Sequence, residues 1–314
     1  ADADIDATGS TAMSQSFQVA CVQNCAGREV EANTRRLLEL TAAAAAAGAE
    51  LVLLPEMASF IEPDDARIWQ RAAPENQDMA LAALRRQARD SGCWLLIGSL
   101  LVRDPSADDD GRERRVINRS YLIDAGGEIV ARYDKLHLFD IDLDDGEGYR
   151  ESNSVRAGER AVIAASPWGQ LGLSICYDLR FAALYRALAQ AGAQFLCVPA
   201  AFTATTGRAH WECLVRARAI ETGSYVFAPN QCGVHAEGRR TWGHSLIVDP
   251  WGEILAEGGD DEGFISARID PAQVARRRGM IPALQHDREI VVECADGPAA
   301  ASTTDSAQGM NSAS

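Results

Sequence analysis

Short apolar runs alternate along the chain with longer stretches whose apolar positions recur at helical spacing, and polar or glycine-bearing turns separate the two. Residues 17–23 read as a strand, 31–48 as an Ala/Leu-rich helix stopped by its glycine, and 51–54 as a buried strand running into Pro55 and Glu56. A helix over 76–91, a strand over 94–102 and a hairpin of 116–123 with 129–133 around Gly126 and Gly127 follow. The second half repeats the order: strand 169–175, helix 181–191, strand 195–199 and helix 210–221. Strands at 225–230, 245–249, 254–256 and 263–268 complete it. Strands alternating with helices, plus paired hairpin strands, predict a layered α/β fold. No shift in composition splits the middle, so one domain over 16–292 is expected. The ends, 1–15 and 293–314, hold too little apolar surface to offset the entropy of ordering and read as disordered tails.

Composition narrows the function. An apolar fraction of 47% with 24% charged residues is that of an ordinary globular chain, and no run of about 18 apolar residues could span a bilayer. The opening ADADIDATGS lacks the basic flank and apolar stretch of a secretory signal, so the expected compartment is the cytoplasm. A net charge of −15 argues against nucleic-acid binding, since dense basic runs occur only at 112–115 and 276–278. Eight scattered cysteines without a CxxC pair suggest neither a disulfide framework nor a zinc site.

Three positions share one feature, an ionisable side chain where a buried strand ends and the chain turns, which is where α/β sheets build sites. Glu56 ends LLPE. Desolvation there would raise its pKa into the range of a general base, whereas a carboxylate beginning a helix after proline is the plainer reading. Lys135 follows a hairpin strand. Lysines so placed are mostly solvated, but Leu136, Leu138 and Phe139 around His137 suggest partial enclosure. Cys176 stands at the end of the strand in GLSIC, ahead of an expected helix whose amides would lower a thiol pKa and hold an oxyanion. A buried structural cysteine is the alternative. A cysteine–histidine pairing is also open, because His137, His210, His235, His244 and His286 are all available. Of these, His210 reads better as packing and His244 as capping a strand.

The segments LLPEM, YDKLHLFD and GLSICYDLRF, in that order, resemble the three motifs of the nitrilase, or carbon–nitrogen hydrolase, superfamily, and the likeness extends over about 17–290. The resemblance implies a four-layer α-β-β-α sandwich with internal pseudo-symmetry. It also implies a homodimer or higher homo-oligomer whose layers stack through helices. It assigns Cys176 as nucleophile, Glu56 as general base, Lys135 as the cation at the tetrahedral intermediate, and Glu151 as a second carboxylate that positions Lys135. Neither cofactor nor metal is required. An unactivated amide needs a thiolate, a proton carrier to the departing nitrogen, and positive charge at the developing oxyanion, and one residue serves each need.

The segments AFTATTGRAHWECLVRARAIE, NQCGVHAEGRR and TWGHSLIVDPWGEILAEG most resemble the branch holding omega-amidase and deaminated-glutathione amidase. That likeness implies a small amide substrate with a 2-oxo acid end, and metabolite repair as the role. Arg180, Arg208 and Arg239 or Arg240 are candidates to read the substrate carboxylate. Tyr177 supplies an oxyanion N–H, and with the 202–206 loop, notably Phe202 and Thr206, is expected to wall the pocket. An N-carbamoyl amino acid amidohydrolase is the nearest enzymatic alternative, and a catalytically idle scaffold the non-enzymatic one. Nitrile hydrolysis fits the HLFD and HWE segments less well.

Overall fold

A computed structural model of the chain describes residues 15–106, 114–142 and 148–294. The tails read from composition therefore lie, apart from Gln15, Glu293 and Cys294, outside the described residues, as does part of the basic run at 112–115. The strands are β1 (Phe17–Gln23), β2 (Leu51–Leu53), β3 (Trp94–Arg103), β4 (Val116–Ile123), β5 (Ile129–Asp134), β6 (Asp140–Asp142), β7 (Gly148–Arg150), β8 (Val155–Arg156) and β9 (Val162–Ser166). They continue as β10 (Gly169–Leu173), β11 (Phe195–Cys197), β12 (Tyr225–Ala228), β13 (Cys232–Val234), β14 (Arg240–Trp242), β15 (Leu246–Val248), β16 (Ile254–Glu257) and β17 (Gly263–Ile269). The α-helices are α1 (Val30–Ala46), α2 (Asp65–Arg71), α3 (Met79–Ser91), α4 (Ala182–Gln190), α5 (Ala204–Thr222) and α6 (Ala272–Met280).

Two sheets stack face to face. One runs β17-β1-β2-β3-β4-β5 with β8 beside β4, and the other runs β16-β15-β12-β11-β10-β9. Both follow one plan: three parallel strands, β1 to β3 or β10 to β12, flanked on each side by an antiparallel strand. This is the internal pseudo-symmetry in hydrogen-bonded form. Strand alternation assigns the faces. Phe17, Val19, Cys21, Leu51 and Leu53 face the second sheet and pack with Leu171, Phe195 and Phe227, and the Phe17 ring stacks on Trp168 at 4.4 Å. Ala20, Val22, Val52 and Leu54 take the other face, against Leu37 and Leu40 of α1 and Leu81 and Leu84 of α3. Tyr185 and Leu188 of α4, with Trp211 and Val215 of α5, cover the second sheet. The layers are α-β-β-α.

Helix starts follow their caps more closely than their apolar periodicity. The helix expected from 76 begins at Met79 because Asp78 accepts the Leu81 N–H at 2.8 Å, and the preceding Glu75–Gln77 turn is a 3-10 helix. The helix expected from 210 begins at Ala204 because Thr203 caps it, so 204–206 is helix rather than loop. At Gly98 of β3, a Cβ would lie 1.9 Å from the Leu54 carbonyl oxygen and 2.4 Å from the Pro199 Cβ. Only glycine lets the chain leaving β2 toward Glu56 come this close to the chain leaving β11 in the other sheet.

Candidate active site

Glu56 and Cys176 are each placed by a backbone turn in the left-handed region. Met57, next to Glu56, has φ +50°, and its N–H donates to the Ser99 hydroxyl at 2.8 Å. Cys176 itself has φ +47°, and its N–H donates to the Pro199 carbonyl at 2.8 Å. Non-glycine residues seldom adopt this conformation, and they keep it only where surrounding bonds hold it. The helix expected directly after Cys176 is instead a five-residue 3-10 turn, Cys176–Arg180, and α4 begins later, at Ala182. Asp178 organises that turn. Fully buried, it accepts the Ile175 N–H at 2.8 Å, the Tyr133 hydroxyl at 2.7 Å and the His137 N–H at 3.0 Å, with His137 Nδ1 also at 2.7 Å.

Lys135 follows β5, and its ammonium sits between two carboxylates. Nζ donates to Glu56 Oε1 at 2.8 Å and to Glu151 at 2.8 and 3.1 Å. The second Glu56 oxygen accepts the Ala201 N–H at 2.9 Å, and Glu151 accepts the Phe139 N–H at 2.7 Å. The Cys176 thiol lies close enough to Glu56 and Lys135 for both charges to act on it. Glu56, Lys135, Glu151 and Cys176 together line one cavity of about 580 Å³, whose wall also includes Tyr177, Phe202 and Thr206.

Two expectations about charge are corrected by this geometry. Burial alone would raise the Glu56 pKa, but the Lys135 ammonium and the hydrogen bonds from Lys135 and Ala201 outweigh it, so Glu56 is held below its ordinary value. The Cys176 thiol was expected to be acidified by helix amides. Burial and the adjacent Glu56 carboxylate instead push it well above the ordinary thiol range, against the pull of Lys135. Burial disfavours the Lys135 charge too, yet Glu151 and Glu56 overcome this and raise its pKa. The resting constellation is thus thiol, carboxylate and ammonium.

Of the arginines expected to read a carboxylate, Arg239 lines the cavity. Neither Arg180 nor Arg208 lines the cavity. Arg180 lies over the Tyr177 and Phe202 rings, 5.8 and 5.4 Å from their centroids, with one guanidinium nitrogen 3.4 Å from His210 Nδ1. Arg208 lines a separate hollow with His210 and Trp242. It follows Thr206 by two helical positions, and residues so spaced face opposite sides of a helix. His137, His235 and His244 have other partners. His137 is fixed by Asp178 and stacks on Phe181 at 3.5 Å. His235 is buried between the Ala26 carbonyl and the Thr241 hydroxyl, with burial lowering its pKa to about 4. His244 faces Glu257 and Asp260. Among the described residues no group of three or more His, Cys, Asp or Glu side chains is arranged to hold a metal, and no helix is long and apolar enough to cross a membrane.

Several residues at the site escaped the sequence reading. Asn118 of β4 is fully buried, and its amide nitrogen donates to both Glu56, at 3.0 Å, and Glu151, at 3.1 Å. An asparagine in the middle of an otherwise buried strand was the available signal. Gln231 donates to the Glu56 carbonyl at 3.1 Å while accepting the Ala26 N–H. Glu62 and Arg150 also line the cavity, the latter at the end of the short β6–β7 hairpin, which is too brief and polar to register as alternating strands.

With fold and site described, comparison with known proteins defines the class. The carbon-nitrogen hydrolase family model matches residues 18–278, and the chain belongs to that family. It is 39% identical over 274 residues to a deaminated glutathione amidase of Yersinia enterocolitica, spanning 87% of this chain and 93% of the relative. The NitFhit protein of C. elegans superposes with a TM-score of 0.80 at 36% identity, over 87% of this chain and 65% of the longer nematode chain. An amidase mutant from Nesterenkonia sp. AN1 superposes with a TM-score of 0.70 at 29% identity, covering 87% of this chain and 94% of that one. In that structure the acetamide moiety of fluoroacetamide has added covalently at the active site cysteine.

Proposed function

We propose that the chain hydrolyses the terminal amide of a small, carboxylate-bearing 2-oxo acid through a thioester on Cys176, as a deaminated-glutathione or omega-type amidase working in metabolite repair. The observation that carries the reading is the Lys135 ammonium, held at 2.8 Å by both Glu56 and Glu151 in the cavity that Cys176 lines. The covalent cysteine adduct in the Nesterenkonia amidase and the deaminated-glutathione amidase relatives support it.

In the proposed cycle Glu56 takes the thiol proton as sulfur attacks the amide carbon, so the proton moves only when the sulfur is engaged. Lys135 and the Tyr177 backbone N–H hold the oxyanion, and Glu151 keeps Lys135 in place. Glu56 passes its proton to the departing nitrogen, releasing ammonia and leaving the thioester. Water, deprotonated by Glu56, attacks that carbonyl. Collapse of the second intermediate expels the sulfur, which recovers its proton from Glu56 as the carboxylic acid leaves.

The proposal extends to one folded unit over 16–292 that acts in the cytoplasm as a homodimer. Exposed Ile220 of α5 beside the Trp251–Gly252 turn supports an apolar face available for pairing. Ammonia release from 2-oxoglutaramate, deaminated glutathione, an N-carbamoyl amino acid and a simple nitrile tests the function. The proposal expects the first two to lead by at least about tenfold. A lead by the carbamoyl compound would make the protein a carbamoylase, and silence on all four in folded protein would favour a scaffold.

A further inference from the structure

Arg239 carries a cation into the cavity that no carboxylate of the described residues neutralises. It lines the same cavity as Cys176, and its Nε is buried without a hydrogen-bond partner. The other charged groups on that wall are already engaged. Glu237, two residues away, pairs with Arg28, while Glu62 takes Arg28 and Arg71. Arg150 is held by both oxygens of Asp142, at 2.7 and 2.8 Å, and by the Ile141 and Tyr149 carbonyls. Among the described residues no carboxylate pairs with Arg239. Its guanidinium rests instead over the Tyr149 ring, 5.4 Å from the centroid.

The backbone beneath it is fixed. The Arg239 carbonyl accepts the His235 N–H at 2.7 Å, and β14 begins at the next residue in register with β13. The side chain is thus presented from a braced hairpin, with a buried N–H that lacks an acceptor. Such a group costs stability until a ligand supplies the acceptor, and a carboxylate meets the guanidinium fork with two parallel hydrogen bonds. Arg239 is half-buried with its Nε fully covered, and it has no carboxylate partner among the described residues although acidic side chains are plentiful in a chain of net charge −15.

We infer that Arg239 is the specificity residue of this cavity, binding the carboxylate of the ligand remote from the scissile amide and so selecting anionic over neutral amides. The inference rests on the amidase reading for its kinetic consequence but not for the binding itself. Two measurements separate them. In turnover, the ratio of kcat/KM for 2-oxoglutaramate to that for butyramide falls about 30-fold or more in Arg239→Met, mostly through KM, and Arg239→Lys recovers part of it. In binding, calorimetry of 2-oxoglutarate with the Cys176→Ala protein, which needs no catalysis, shows affinity weakened by a similar factor when Arg239→Met is added. An unchanged substrate ratio, or equal 2-oxoglutarate affinity with and without Arg239, overturns the inference. Should the parent protein hydrolyse neither amide while Cys176→Ala still binds 2-oxoglutarate through Arg239, the hydrolase reading fails and the carboxylate site stands.

Discussion

One amide nitrogen of Asn118 donates to Glu56 at 3.0 Å and to Glu151 at 3.1 Å, spanning the same two carboxylates that Lys135 bridges with its ammonium. Two carboxylates, one buried and one half-buried, are thereby tied together by one cation and one neutral donor. Asn118→Leu keeps the volume and removes the donor, so the charged form of Glu56 loses support and its pKa rises. The expected result is a fall of about 100-fold in kcat/KM, with the acid limb of the pH profile moved to higher pH. A purely structural asparagine would lower the melting temperature and leave that limb in place.

The pH profile of the parent protein should be broad. Glu56 must be ionised to act, and its pKa lies below 4.5, while the Cys176 thiol titrates well above 9.0. Activity should therefore hold steady between those values, and an acid limb near neutrality would contradict the assignment. Stability follows the same groups. The Glu56 contribution, its folded pKa being depressed, is complete above 4.5 and lost as pH falls through the folded value. The Lys135 contribution, its folded pKa being raised, is complete below 10.5 and lost as pH rises through the folded value.

Replacing Lys135 by methionine leaves Glu56 and Glu151 facing one another without a cation. Breaking a buried ion pair from one side costs about 3–5 kcal/mol, and the loss of oxyanion stabilisation about 10³-fold in kcat. Urea denaturation should show the destabilisation shrinking as pH falls from 7 toward 5, because Glu56 then takes up a proton instead of remaining charged. A pH-independent loss would mean that packing, not charge, was removed.

Gly98 offers a test away from the ionisable groups. A methyl there meets the Leu54 carbonyl oxygen at 1.9 Å and cannot be relieved by a rotamer change, because the obstacle is backbone. Gly98→Ala should cost about 3 kcal/mol or more and should lower activity with Glu56 and Cys176 unaltered, since the turns that present them must separate. Thermal unfolding beside single-turnover kinetics checks this. A variant with parental stability would show that the two sheets can part at this seam without cost.

Much of this fold was legible because its central strands are apolar runs ended by polar turns: the observed bounds of β1 and β4 coincide with those expected from the pattern. Caps such as Asp78 and Thr203 shifted helix starts that periodicity alone placed later or earlier. Glu56, Lys135 and Cys176 drew notice because each stands at a strand end, but position left each open, and their roles, like the choice of Glu151, came only with the resemblance to the carbon–nitrogen hydrolase motifs. Asn118 could not be ranked, since a polar residue in a strand does not reveal which face it takes or what meets it there. The charge states were misread for a related reason. Burial can be inferred from an apolar run, but the opposing pull of Lys135 on Glu56, and the push of Glu56 on Cys176, depend on distances that only the folded chain sets.

The most direct test is mass spectrometry of the intact protein, acid-quenched during turnover of 2-oxoglutaramate and followed by peptide mapping. An acyl adduct on the peptide bearing Cys176, absent from Cys176→Ala and discharged by hydroxylamine, is the predicted result. An adduct on another cysteine, or ammonia release that survives Cys176→Ala, would contradict nucleophilic attack by Cys176.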